Sequence, residues 1–272
     1  MEPRMVPPPP KRSFVKRFWP VLPLALLGLG LGGYADHRAK HPKIKVILPA
    51  PLPPAFETLP VGSVKPLGWL KQQMQLQASG LTGHLDEFWP DISQSGWIGG
   101  KGEGWERAPY WLDGLVPLAF ELDDPALKQK ARRWVDYILA HQSPDGWLGP
   151  DQGASNYGFQ LPPNPVRDPW PQFVILKALA QYAEATGDPR VMPAMARDLA
   201  NLDQQLDRRP LFDWSFFRWG DLLVTLDWMA ARTGDPRWPR MEAKAAAQGY
   251  GWAGHFADFH ERQKTVEWNF LS

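Results

Sequence analysis

The sequence predicts an all-α domain, helical hairpins set side by side as an α/α toroid, and three observations carry that prediction. Apolar residues recur at helical spacing from residue 66 onward. An acid followed by proline punctuates the pattern at residues 123–125 (DDP), 187–189 (GDP) and 234–236 (GDP), each time directly after an apolar helical run. Longer stretches rich in Gly, Pro, Asp and Trp, at residues 80–105, 143–168 and 207–215, alternate with those short turns. The short turns then lie at one end of the assembly and the long loops at the other, where functional groups gather.

Taken in order, residues 1–12 are proline-rich, and KRSFVKR places four positive charges before the uncharged FWPVLPLALLGLGLGGYA. That order predicts a signal peptide or signal anchor over residues 1–35, hence export, with membrane contact only through this segment. Gly33 and Ala35 occupy plausible cleavage positions. Residues 36–60 form a Pro-rich linker with one short strand candidate, residues 44–48. The toroid domain is expected over residues 61–272.

Within it, Leu127, Ala131, Trp134 and Ile138 fall on one helical face, as do Met192, Met195, Leu199, Leu202 and Leu206. Ile175, Leu179 and Tyr182 form a third stripe, and Leu222, Leu226 and Met229 a fourth. At each acid–proline turn the aspartate is expected to cap the next helix, with the proline in its first position, where the missing N–H costs nothing. About eight helices follow from this pattern, fewer than the roughly twelve of a closed six-hairpin ring. With KTVEWNFLS ending the chain without a Gly cap or polar tail, the domain reads as part of such a ring.

Composition narrows function. Lys and Arg number 30 against 29 Asp and Glu, and no basic face interleaved with exposed aromatics appears, so nucleic acid is not an expected partner. The absence of cysteine excludes disulfides, thiolate nucleophiles and Cys-ligated metal. The 15 tryptophans suit a bulky aromatic core and equally the platforms on which sugar rings stack.

The chemistry concentrates in GEGWERAPYWLDG, residues 102–114. Glu106 and Asp113 are seven apart and share one helical face, about two turns from each other. They are open to three readings: a carboxyl pair for glycoside hydrolysis, ligands for sugar hydroxyls, or a helix-dipole partner and a loop anchor. Tyr110 and Trp111 are adjacent and point to different faces, so one is core and the other is free to line a pocket; Trp105, ahead of the helix, is a stacking candidate. In SPDGWLGP, Gly146 is expected to turn and Trp147 to point inward, as structure or toward substrate. Asp168 is expected to cap the helix that DPWPQ opens, with Trp170 and Gln172 candidates to face the site. In FDWSFFRWGD, Asp213, Arg218, Trp219 and Asp221 form either a hydroxyl-binding lattice or a buried Arg218–Asp pair. His255 and His260 are five apart, a poor spacing for a shared metal face, and no metal is expected in this chain.

Five stretches carry a resemblance: LPVGSVKPLGWLKQQM, GWERAPYWLDGLVPLAFELDD, WVDYILAHQSPDGWLGP, DPWPQFVILKALAQYAEATGDPRV and LFDWSFFRWGDLLVTLDWMAARTGDP. Over about residues 59–240 the chain resembles the N-terminal part of the catalytic domain of β-L-arabinofuranosidase-type glycoside hydrolases, the family 127-like group. The resemblance implies an (α/α)6 six-hairpin barrel, an exported protein, and action on arabinofuranose-containing plant glycans. It also implies a zinc-bound cysteine nucleophile and a glutamate acid/base later in the barrel. This cysteine-free chain carries no position matching them, so zinc belongs only to a complete member and the catalytic residues are unknown. Two rivals remain: another six-hairpin glycosidase such as an unsaturated uronyl hydrolase, which needs no thiolate, and an inactive helical scaffold that binds glycan. The binding candidates are Trp105, Glu106, Tyr110, Asp113, Trp147, Trp170, Asp213, Trp219 and Asp221.

Overall fold

The computed structural model describes residues 58–151 and 167–257; 71% of these are helical and none is in a strand, so the domain is all-α. The expected signal segment, the linker up to residue 57 with its strand candidate, residues 152–166, His260 and the terminal KTVEWNFLS lie outside the described residues.

The chain begins with α1 (Gly68–Ser79), α2 (Leu81–Phe88), α3 (Pro90–Ser93) and a 3-10 turn (Gly96–Ile98). Residues 80–105, expected as a long loop, are thus largely helical. The Gly and Pro that suggested a loop act as junctions: Gly80 separates α1 from α2, and Pro90 opens α3 in its first position. Then follow α4 (Arg107–Glu121), α5 (Pro125–Ala140), α6 (Trp170–Thr186), α7 (Val191–Arg208), α8 (Asp213–Phe217), α9 (Trp219–Thr233) and α10 (Arg237–Gln248). These elements belong to one compact unit ending at Tyr250. A second unit is described only over residues 251–257, where α11 (Trp252–Ala257) stacks its own Trp252 and Phe256 rings 5.7 Å apart.

Two short turns repeat bond for bond in the sequence TGDPR. Thr186 and Thr233 each donate to the carbonyl four residues back, at 2.7 Å, and each accepts the N–H of the aspartate that follows. Gly187 and Gly234 close α6 and α9 in the left-handed conformation, φ +67° and +63°, which L side chains resist. Asp188 and Asp235 then accept the N–H of Arg190 and Arg237, at 3.0 and 2.9 Å. The aspartates therefore hold the turn rather than cap the helix: α7 and α10 start at Val191 and Arg237, one or two residues later than expected. The third turn follows the expectation, with Asp124 capping Ala126 and Leu127 and Pro125 opening α5. There Asp123, φ +57°, takes the left-handed place that glycine fills in the other two.

The predicted stripes are the buried faces. Leu127, Ala131, Trp134 and Ile138 of α5, Ile175, Leu179 and Tyr182 of α6, and Leu222, Leu226 and Met229 of α9 are all buried. On α7, Val191 takes the core position expected for Met192, which is only partly buried. Helix α6 packs between α4 and α9, and each of these three is backed by the helix that follows it. That position explains why α6 is apolar almost all round. Helix α1 buries no residue; Trp69 and Leu76 stand 70% and 63% exposed along its outer flank.

Candidate functional site

The N-terminal ends of α4, α6 and α9 meet at one end of the unit, and there the candidate residues converge. Glu106 precedes the first turn of α4 and accepts a hydrogen bond from the Trp170 indole N–H at the head of α6. Trp105 donates its indole N–H to Asp168 at 2.7 Å, and Asp168 also takes the Trp170 backbone N–H at 2.9 Å. One and two turns along α4, Tyr110 and Asp113 follow Glu106. Asp113 receives Lys177 and Gln181 of α6, each at 3.0 Å. Arg218, at the start of α9, donates to the Tyr110 hydroxyl at 3.2 Å and lies over the Trp170 and Trp214 rings, 5.1 and 4.9 Å from their centroids.

Exposure sorts the aromatics. Trp105, Trp111, Trp147 and Trp170 are buried, whereas Tyr110 is 42% exposed. Of the adjacent pair, Trp111 is the core member, donating to the Thr82 carbonyl at 2.8 Å and meeting Trp134 edge-on. Trp105 offers no open face for stacking because it is buried, and its N–H is committed to the buried Asp168 carboxyl. Trp147 lies inward under Arg167 and bonds the Pro150 carbonyl. Trp219 turns away toward α10, donating to the Tyr250 carbonyl at 2.9 Å and packing where Gly249 leaves room.

The carboxyls at this end differ in environment. Burial pushes Asp168 up to about 6, helped by the charges of Asp213 and Glu106 and opposed by its two donors. Burial also raises Asp213, against the pull of Arg209. Asp221 is raised by burial, while Arg218 and Lys177 hold it down. Asp213 has the left-handed φ of +45°, a strained backbone for a residue with a Cβ, and such strain collects at functional positions. The expected buried Arg218–Asp pair is not formed: Arg218 is exposed, and among the described residues no carboxylate ion-pairs with it. Glu106 and Asp113 both reach α6, so their shared face of α4 is turned to a neighbouring helix rather than across a cleft.

A scan against protein-family models, a search of curated proteins and a search of solved structures each found no match. The geometry therefore carries the functional reading. It does not fit the zinc–thiolate group of the resemblance: the chain has no cysteine, and among the described residues no group of three His, Asp or Glu gathers as a ligand set. A groove of about 700 Å³ lies at the opposite, short-turn end. Its cations are already matched by acids, Arg190 by Asp188 and Asp136 and Lys128 by Asp123, which leaves it little charge to offer a ligand.

Several supporting residues escaped the sequence reading. Lys177 and Gln181, four apart on α6, are the two positions between residues 170 and 182 that are not buried, and that contrast was the available signal. Behind the site the GWLG turn is pinned on both sides of Leu148. Buried Asp198 of α7 accepts its N–H at 2.9 Å, and Gln172 of α6, expected from sequence to face the site, is instead buried and donates to its carbonyl at 2.9 Å. Gln142 bonds the Gly146 and Ala194 carbonyls.

Proposed function

We propose that this chain is a glycoside hydrolase-like protein that binds arabinofuranose-containing glycans at the end formed by α4, α6 and α9. The observation that carries the reading is Tyr110, an exposed ring on α4 with Glu106 just ahead of that helix and Asp113 on it, and with Asp221 in the first turn of α9 close enough to act on it electrostatically. Carboxylates accept from sugar hydroxyls while an aromatic face packs on the sugar C–H bonds. The resemblance to β-L-arabinofuranosidases supplies the sugar. No residue is assigned as nucleophile or acid, so the proposal is binding; release of p-nitrophenol from an arabinofuranoside tests for hydrolysis. Calorimetric titration of the full chain with arabino-oligosaccharides tests the binding. Tyr110→Ala is expected to weaken it by about 5- to 20-fold, the loss of one aromatic contact. Undiminished binding removes Tyr110 from the site.

The finer architecture belongs to the same proposal. The TGDPR repeat, the row α4–α6–α9 backed by α5, α7 and α10, and the apolar outer flank of α1 support an arc of an α/α toroid, in which a further hairpin covers that flank. The N-terminal basic and apolar segment supports export.

A further inference from the structure

We infer that the glycan bound at this end carries a carboxylate, and that Arg218 is the residue that selects for it. The inference rests on the binding role proposed for this end and names the class of sugar. Arg218 is exposed, yet fixed in place. It lies over the Trp170 and Trp214 rings, and the Tyr110 hydroxyl takes a hydrogen bond from one of its terminal nitrogens, Nη1. Trp170 is fully buried and tied through its own N–H to Glu106, so the surface beneath the guanidinium is rigid.

A guanidinium that spends its faces on indoles keeps its edge donors for ligands, and the Tyr110 hydroxyl uses only one nitrogen of that fork. Among the described residues no carboxylate answers it. Several other exposed arginines of this unit are paired, Arg190 with Asp188 and Asp136, Arg232 with Glu184, Arg237 with Asp235, whereas Arg197, Arg208 and Arg240 share with Arg218 the lack of a carboxylate partner among the described residues. What sets Arg218 apart is its fixed seat on two indoles and a tyrosine hydroxyl. A preorganised fork lacking an acid partner, beside the exposed tyrosine of a polyol site, fits a planar carboxylate held bidentately.

The acids nearby decide what kind of anion is tolerated. Asp113 is met by Lys177 and Gln181, so it does not face Arg218 as an unanswered charge; Glu106 is held by the Trp170 indole, a neutral donor that leaves its charge in place. Asp221 remains as well, within the electrostatic reach of Arg218. These residual acids repel a doubly charged phosphate more than a singly charged carboxylate, and the flat fork matches the flat carboxylate. A uronic acid residue within or beside the arabinofuranose chain satisfies both conditions.

The test compares two probes on the full chain by calorimetry: a neutral arabinobiose and an acidic digalacturonate. Wild type is expected to bind the acidic probe about tenfold or more tightly than the neutral one, with the preference shrinking as salt rises. Arg218→Gln should abolish the preference while neutral binding stays within about threefold. Tyr110→Phe, which removes the hydroxyl anchoring Arg218 without disturbing the core, should reduce the preference by a smaller factor and keeps the test open if Arg218→Gln fails to fold. Neutral binding with no acidic preference, or a preference that survives both substitutions, overturns the role of Arg218 and leaves the glycan site standing. Binding of neither probe overturns both.

Discussion

Replacing Asp198 by asparagine should make the protein more stable, and increasingly so as pH rises. Asp198 is fully buried; one carboxyl oxygen holds the Leu148 N–H at 2.9 Å and the other has no partner among the described residues. Burial pushes its pKa from 3.8 up to about 8. Below pH 3.8 the folded and unfolded chains both keep the proton. Between 3.8 and about 8 the unfolded chain releases it while the folded chain retains it, so stability falls across that window and is level above it. The slope is about 1.4 kcal/mol per pH unit for one such group. From pH 5 to pH 8 the single carboxyl withdraws a few kcal/mol, or several degrees of melting temperature at about 2–4 °C per kcal/mol for a domain of this size. Asparagine keeps an acceptor for Leu148 and has no proton to lose, so its advantage should grow steadily over that range. Alanine should share the flattened pH dependence but sit lower at every pH, by about 1–3 kcal/mol for the stranded Leu148 N–H. Urea titrations at pH 5, 6.5 and 8 read both effects. An unchanged slope in Asp198→Asn refutes the assignment of Asp198 as the buried acid.

Other outcomes follow from the same contacts. Trp105→Phe should lower the urea midpoint more than Trp134→Phe, although both rings are buried, because only Trp105 donates to a buried carboxyl, whereas the Trp134 indole N–H has no partner among the described residues. The hydrogen-bond share of that difference is about 1–3 kcal/mol. Gly234→Ala forces a Cβ into φ +63° and should cost about 1–2 kcal/mol in chemical denaturation, with Gly187→Ala matching it because the two turns are built alike. Gly149→Ala should be worse, since its Cβ would meet the buried Trp97 ring at 2.2 Å, and loss of near-ultraviolet circular dichroism reports it.

The long, strongly periodic helices were legible in the sequence because their stripes are what the core buries; Leu127, Ala131, Trp134 and Ile138 follow from spacing alone. Helices α2 and α3, eight and four residues long, were not, since so few residues hold too little periodicity to outweigh a Gly or Pro beside them. For the candidate site, the sequence singled out the stretch around Tyr110 and placed one of Tyr110 and Trp111 in the core, which is Trp111. It gave no means to learn that Asp113 meets residues 64 and 68 positions away, or that Arg218 reaches back across 108 positions to Tyr110. Nor does composition reveal which tryptophans offer a face. That depends on which rings the fold buries, and it buries them both with an acceptor for the N–H, as Asp168 for Trp105 and the Trp105 carbonyl for Trp97, and without one among the described residues, as for Trp134.

The central claim is that glycan binds at the end of the unit where α4, α6 and α9 begin. Hydrogen exchange of the full chain, with and without saturating arabino-oligosaccharide, tests it most directly. Protection confined to the segments carrying Glu106, Tyr110 and Asp113, Lys177, and Arg218 and Asp221 is the predicted result. Protection instead around Lys128, Arg132 and Arg190, in the groove at the opposite end, would contradict it, as would an exchange pattern that the sugar leaves unchanged.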